Sequence, residues 1–279
     1  MNKRILIPTD FSKNALNAVR YTLDLYAKLN CDFYFLNVFS FEKYTYDSLI
    51  IPEKGTPAYE MAKEDAEHNF RKLLDTIQLH NDNPKHNYFT RASQSFLSEA
   101  IQKLISEKDI HLVAMGTKGA TGSKAFLLGS NTVKAMEKIR ECPVLAIPDD
   151  LSFTPPKEIV FPTDFKDSYK MREFNYLIEI AKMHNASIAV LHLEKEKELT
   201  EAQQENKKLL HAIFCDVEHD FHTLSEKKLG NGIQAFVESR NSNMIAFINR
   251  KHLFFDTVFS RPLVKEIGYD TSIPILALH

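Results

Sequence analysis

Glycine is scarce in this chain, with 8 in 279 residues, and four of those, at 116, 119, 122 and 129, fall in one stretch. Cysteine is scarcer: Cys31, Cys142 and Cys215 lie far apart and form no CxxC or Cys/His pattern. That spacing argues against a thiolate metal site. It fits a reducing compartment in which all three pack as small apolar residues. Apolar runs of membrane-spanning length are missing, so no membrane partner is expected. The opening run Ile5-Leu6-Ile7-Pro8 is too short for a signal-peptide core and is soon followed by Asp10, so no targeting segment is expected and the expected location is cytoplasmic. An excess of either charge is also missing. A formal net charge of −2 and a pI near 6.6 give no electrostatic reason to expect nucleic acid as a partner. What is present is ordinary for a globular protein, 44% hydrophobic and 26% charged, in a chain long enough for two domains.

The glycine-rich stretch runs from Val113 to Ser130. Before it, Ile110-His111-Leu112-Val113-Ala114-Met115 has the apolar density of a buried strand. After it, Ser130 opens a run through Arg140 that predicts a helix with a hydroxyl at its start. A strand that passes through glycines into a helix N-terminus is how α/β proteins make anion sites. Backbone N–H groups point at the ligand, the helix dipole favours negative charge, and absent side chains let phosphate approach the backbone. The plainer reading is a loop that needs glycine for positive φ.

Along the chain, apolar runs alternate with segments of helical spacing. Arg4–Pro8 predicts a strand, followed by a helix carrying Ala15, Val19, Leu23 and Tyr26 with Ser12 or Asn14 as its cap. Strands are expected at 32–38 and 87–90 and helices around Phe70 and Ile101, and the half closes on Pro143-Val144-Leu145-Ala146-Ile147-Pro148. The alternation predicts a parallel sheet covered on both faces. A polar, proline-stiffened linker at 149–156 follows, and then the pattern restarts. Ile159-Val160-Phe161-Pro162-Thr163-Asp164-Phe165 repeats Ile5-Leu6-Ile7-Pro8-Thr9-Asp10-Phe11, and Pro274-Ile275-Leu276-Ala277-Leu278 echoes the close of the first half. Two copies of one α/β unit are expected, at 1–149 and 156–279.

Gly116-x-x-Gly119, nine residues, then Gly129-Ser130 resembles the ATP-binding signature of the universal stress protein family. The Ile-Leu-Ile-Pro-Thr-Asp-Phe-Ser start, the strand ending at Val38 and the closing Cys142-Pro143-Val144-Leu145 are similar to that family too, and the likeness spans both halves. The resemblance implies two tandem open five-stranded parallel sheets of order 3-2-1-4-5 with helices on both faces, the adenine nucleotide alpha-hydrolase-like fold. It implies that the halves pair through their last strands, with a homodimer formed in addition. The implied ligand is ATP, or the related AMP or ADP, with Mg2+ accompanying it, bound where the strand order reverses. On that basis Asp10 accepts a hydrogen bond from adenine or ribose, Pro8 and Thr9 shape the wall, and Val38 packs on the base. Met115 ends the neighbouring strand, and Gly116 and Gly119 let ribose and phosphate reach the backbone. Gly129 and Ser130 donate to the phosphates, with Asn131 and Thr132 as lesser candidates and Lys118 and Lys124 as charge partners.

The second half departs from the signature. Counting back from the closing strands puts Phe247, Arg250, Ser260 and Arg261 opposite Gly116, Gly119, Gly129 and Ser130, so no ATP site is expected there. Walker A, GxGxxG, GxSxG and HExxH patterns are absent, and no catalytic residue and no metal site are expected. His219 and His222 read as a pair lacking an acidic or thiol partner, and His80 and His86 as loop residues. The expected role is a stress-response module that binds nucleotide as a regulatory ligand, at most a slow ATP hydrolase. A nucleotidyl-transfer enzyme using the same pocket and a scaffold that binds no nucleotide are the alternatives.

Overall fold

The computed structural model describes residues 2–39, 54–80, 82–117, 129–193, 198–224, 229–249 and 272–279. The first half holds β1 (Lys3–Pro8), α1 (Lys13–Leu25), β2 (Cys31–Val38), α2 (Pro57–His80), β3 (His86–Ser93), α3 (Leu97–Lys108), β4 (Leu112–Gly116), α4 (Ser130–Lys138) and β5 (Val144–Ile147). The second holds β6 (Glu158–Thr163), α5 (Met171–His184), β7 (Ser187–Leu193), α6 (Glu201–Ile213), β8 (His219–Leu224), α7 (Leu229–Arg240), β9 (Met244–Ile248) and β10 (Ile275–Leu278).

The strands read as unbroken apolar runs because both faces of the sheet are covered. Ile5 and Ile7 enter one core layer and Leu6 the other, and Leu112 and Ala114 separate from Val113 and Met115 in the same way. Period-2 geometry sends neighbours to opposite faces, so a doubly covered strand must be apolar throughout. Helices α1, α2, α5 and α6 supply residues such as Val19, Phe70, Phe174 and Leu210 to the first layer. Helices α3, α4 and α7 supply Ile101, Met136 and Ile233 to the second.

All ten strands form a single sheet of order β3-β2-β1-β4-β5-β10-β9-β6-β7-β8. Each half keeps the 3-2-1-4-5 order with parallel neighbours. The two meet through an antiparallel β5–β10 pair, in which Leu145 lies opposite Leu276. The two expected five-stranded sets thus join edge to edge through their last strands, as expected, into one continuous sheet, and both core layers run across the seam. The connection at 149–156 is docked as well: Phe153 packs edge-on against Tyr21, centroids 5.2 Å apart, and against His184 at 5.9 Å.

The cysteines divide. Cys31 and Cys142 are buried, and burial pushes both thiols up to about 12, whereas Cys215 is exposed, contrary to the expectation that all three pack inside. His86 is likewise no loop residue. It opens β3, is buried, and sits 3.3 Å from the Tyr26 carbonyl.

Candidate functional site

The site is built where β1 and β4 part. They pair only at Ile5 with Leu112 and Leu6 with Val113. Beyond that, Thr9 N–H turns to the Leu36 carbonyl of β2 at 2.8 Å, and Thr117 N–H to the Ile147 carbonyl of β5 at 2.9 Å. The two strands turn to opposite neighbours at their carboxyl ends, which makes this the switch point of the strand order, where ligands of open α/β sheets bind.

One wall is the Pro8-Thr9-Asp10-Phe11 turn. Pro8 and Thr9 are buried, and Asp10 stands exposed at the rim. Thr9 Oγ1 accepts from Phe11 N–H at 3.0 Å, and Asp10 Oδ1 accepts from Ser12 N–H at 3.0 Å. Both are side-chain-supported turns of the kind these residue types favour, and they hold Phe11 at φ 60°. The helix cap is separate: Ser12, not Asn14, accepts from Ala15 N–H at 3.2 Å. The second half repeats every part of this turn. Thr163 accepts from Phe165 N–H and Asp164 from Lys166 N–H, both at 3.0 Å, with Phe165 at φ 57°. The Pro-Thr-Asp-Phe repeat thus has a conformational cause in both halves. At the end of β2, Val38 is half-buried against the second core layer and lies in register with Ser93 of β3.

The other wall joins the end of β4 to the start of α4. Met115 is buried and Gly116 partly exposed. Gly129 is the N-cap of α4 and makes no side-chain cap hydrogen bond. Ser130 is therefore the first helical residue and not the cap, which corrects the expectation of a hydroxyl cap. The Gly129 N–H donates to the Thr117 carbonyl, and Thr132 Oγ1 donates to the Gly116 carbonyl at 2.8 Å. These two bonds close the strand end onto the helix start. They also commit the buried Thr132 hydroxyl, while the Ser130 and Asn131 side chains remain exposed. N–H groups in the first turn of a helix have no intrahelical acceptor, so this end presents donors.

Gly129 adopts φ −64°, ψ 152°, which any residue can adopt, and of the described glycines only Gly55 has positive φ. Backbone conformation therefore does not require glycine at 129. Thr117, which no sequence pattern singled out, is buried here, and its hydroxyl has no hydrogen-bond partner among the described residues. Gly119, Lys118 and Lys124 lie outside the described residues, as do Arg250, Ser260 and Arg261.

The family model for universal stress proteins matches residues 1–148 of this chain. The chain belongs to the universal stress protein family. A universal stress protein of Methanocaldococcus jannaschii is 25% identical over 157 residues, covering 52% of this chain and 81% of that one. Over the full length, a universal stress protein structure from Archaeoglobus fulgidus superposes with a TM-score of 0.71 at 17% identity, covering 98% of this chain and 95% of its own. A structure described as a putative universal stress protein from Pseudomonas aeruginosa gives 0.62 at 13% identity, covering 99% and 93%. At these identities the two structures show the shared fold.

Register within this universal stress protein also corrects the comparison of its halves. Val113 N–H meets the Pro143 carbonyl and Ile245 N–H the Pro274 carbonyl, so Gly116 corresponds to Ile248 and Thr117 to Asn249. The expected match of Phe247 to Gly116 is one residue out, because the connection after β9 is one residue shorter than that after β4. The Asn249 carbonyl, counterpart of the Thr117 carbonyl that Gly129 caps, accepts instead from Arg140 of the first half. The Asn249 amide in turn donates to the Met136 carbonyl of α4.

Arg140 also lies 3.2 Å from His279 Nδ1. Burial first, then the Arg140 charge, pushes His279 from an ordinary value of 6.5 down to about 4. Burial likewise lowers His86, His111 and His184. An unfolded His279 takes up a proton that the folded one refuses, so stability is unaffected above about pH 6.5 and falls as pH drops toward 4. At about 1.4 kcal/mol per pH unit, His279 accounts for a loss of about 3 kcal/mol across that window. Urea unfolding at pH 7 and pH 4.5 measures the loss, and His279→Asn is expected to flatten the slope. An equal slope in the variant refutes the assignment.

Proposed function

We propose that the first half binds an adenine nucleotide, ATP or the related ADP or AMP, as a regulatory ligand at the switch point between β1 and β4. The observation that carries this reading is the start of α4. It is a helix end with no side-chain cap, and its N-cap glycine has a backbone conformation that does not call for glycine. Absence of a side chain there has a use if phosphate approaches the backbone. The Thr117 hydroxyl, which has no hydrogen-bond partner among the described residues, supplies a further polar group at the same wall. In this reading the first-turn amides of Ser130, Asn131 and Thr132 face the phosphates, Asp10 reaches adenine or ribose from the opposite rim, and Val38 flanks the base. Mg2+ would accompany the nucleotide on its phosphates.

A bound nucleotide regulates if it favours one arrangement of the protein over another, and no reaction is required for that. The two halves, 1–149 and 156–279, are read as tandem copies of which the first keeps the ligand site. Mass spectrometry of nucleotide released from the denatured, purified protein tests the reading, together with ATP titration of the stripped protein. An adenine nucleotide peak and saturable 1:1 binding are expected. No peak and no binding defeat the proposal.

A further inference from the structure

The outer edge of the second half holds a pair of imidazoles that the nucleotide reading does not use. His211 lies in the last turn of α6 and is exposed; His219 opens β8, the outermost strand of the sheet. His211 Nδ1 and His219 Nε2 are 2.7 Å apart. His219 Nδ1 lies 2.9 Å from the Val217 carbonyl. A carbonyl only accepts, so the Nδ1 of His219 carries the proton and its Nε2 presents a lone pair toward His211.

We infer that His211 and His219 form a binding site for a late first-row divalent cation, of the class Zn2+, Ni2+ or Cu2+. Imidazole nitrogen suits these ions. A protein-bound histidine ligand characteristically donates its other ring N–H to a carbonyl or carboxylate, which fixes tautomer and orientation. Val217 already fills that role for His219. When His211 carries its proton on Nε2 in place of Nδ1, both facing nitrogens present lone pairs, and a turn of the exposed His211 ring directs the two onto one ion. Metal–nitrogen bonds of about 2.0–2.1 Å at right-angled to tetrahedral geometry separate two nitrogens by about 2.9–3.4 Å. The pair therefore opens by well under an ångström, a movement the exposed His211 ring can supply.

The floor beneath the pair restricts other movements. His219 lies 5.9 Å, centroid to centroid, from both Phe214 and Phe221, and His211 lies 6.3 Å from Phe221. Lys207 works against a cation from one side, since its ammonium stands 5.1 Å over the Phe221 ring. Solvent screens that charge. With no third ligand grouped there among the described residues, water completes the coordination sphere. Bound metal ties α6 to the edge strand, so it binds the folded state in preference and raises its stability.

Isothermal titration of the full chain with Zn2+ or Ni2+ tests the site, using wild type, His211→Ala, His219→Ala and the exposed-helix control His68→Ala. One site is expected in wild type and His68→Ala, weakened roughly tenfold or more in either site variant, in line with the size of effect known for lesser changes around metal ligands. Circular dichroism establishes that each variant is folded. As a second readout, Cu2+ electron paramagnetic resonance is expected to show coupling to two nitrogens in wild type and fewer in each site variant. Wild-type affinity and spectra indistinguishable from those of the two site variants overturn the proposal.

Discussion

Gly129→Val is expected to lower adenine nucleotide affinity by roughly 100-fold, equivalent to about 2.7 kcal/mol, while leaving the protein folded. The separation of the two effects follows from the backbone. At φ −64°, ψ 152° a valine meets no conformational penalty. Its N–H is still available to the Thr117 carbonyl. Valine is a poorer N-cap than glycine, which costs about 1 kcal/mol and lowers the melting temperature by about 2–4 °C in a domain of this size. The branched side chain instead stands at the helix end where phosphate would meet bare backbone. Titration with ATP beside a thermal melt measures both quantities. Affinity equal to wild type in a folded variant removes the phosphate role of this helix end. Retained nucleotide binding at some other place in the chain would then be the remaining reading.

Leu276→Ala is expected to cost about 2–5 kcal/mol, the range for removing a fully buried leucine from a core that relaxes only in part. Leu276 has no exposed surface and lies opposite the equally buried Leu145 across the antiparallel seam. Both belong to a core layer that also holds Ile7 and Phe35 from one half and Phe161 and Phe174 from the other. The loss therefore falls on both halves at once. Guanidinium unfolding is expected to shift to lower midpoint as one transition. Resolution into two transitions in the wild type would contradict a shared core. Leu145→Ala should cost a similar amount, and the double variant less than the sum, since the two side chains face each other.

Much of the fold was legible because doubly covered strands announce themselves as short apolar runs. The runs at Ile5–Ile7, Leu112–Met115 and Val144–Ile147 are each split between two core layers. The repeat at Pro162-Thr163-Asp164-Phe165 was equally informative, since its matching turn gives Asp10 a conformational role beside any ligand contact. Other features left no local trace. Docking of Phe153 onto Tyr21 and His184 depends on helices from both halves, and its sequence surroundings are those of a linker. The offset that pairs Gly116 with Ile248 arises from a connection shortened by one residue, visible only in the hydrogen bonds of Val113 and Ile245. The glycine pattern marks Gly129 as a phosphate neighbour, but that Gly129 and not Ser130 is the cap is a matter of dihedral angles at one residue. His211 and His219 belong to a helix and a strand with no motif spacing between them, so only the packing of α6 against the sheet edge brings them together.

The antiparallel seam has a geometric consequence for anything this protein binds. Because β10 runs against β5, the carboxyl ends of the two sets of parallel strands point to opposite rims of the one sheet. The strand ends that border the first half's site and the corresponding strand ends of the second half therefore lie on opposite rims. Helix α4 crosses between the rims. Nine residues at about 1.5 Å each make a rod of about 13 Å, with Gly129 at the switch point of its own half and Arg140, just past its far end, bonded to the carbonyl that closes β9. One helix thus has its start at the first half's strand ends and its far end bonded to the second half.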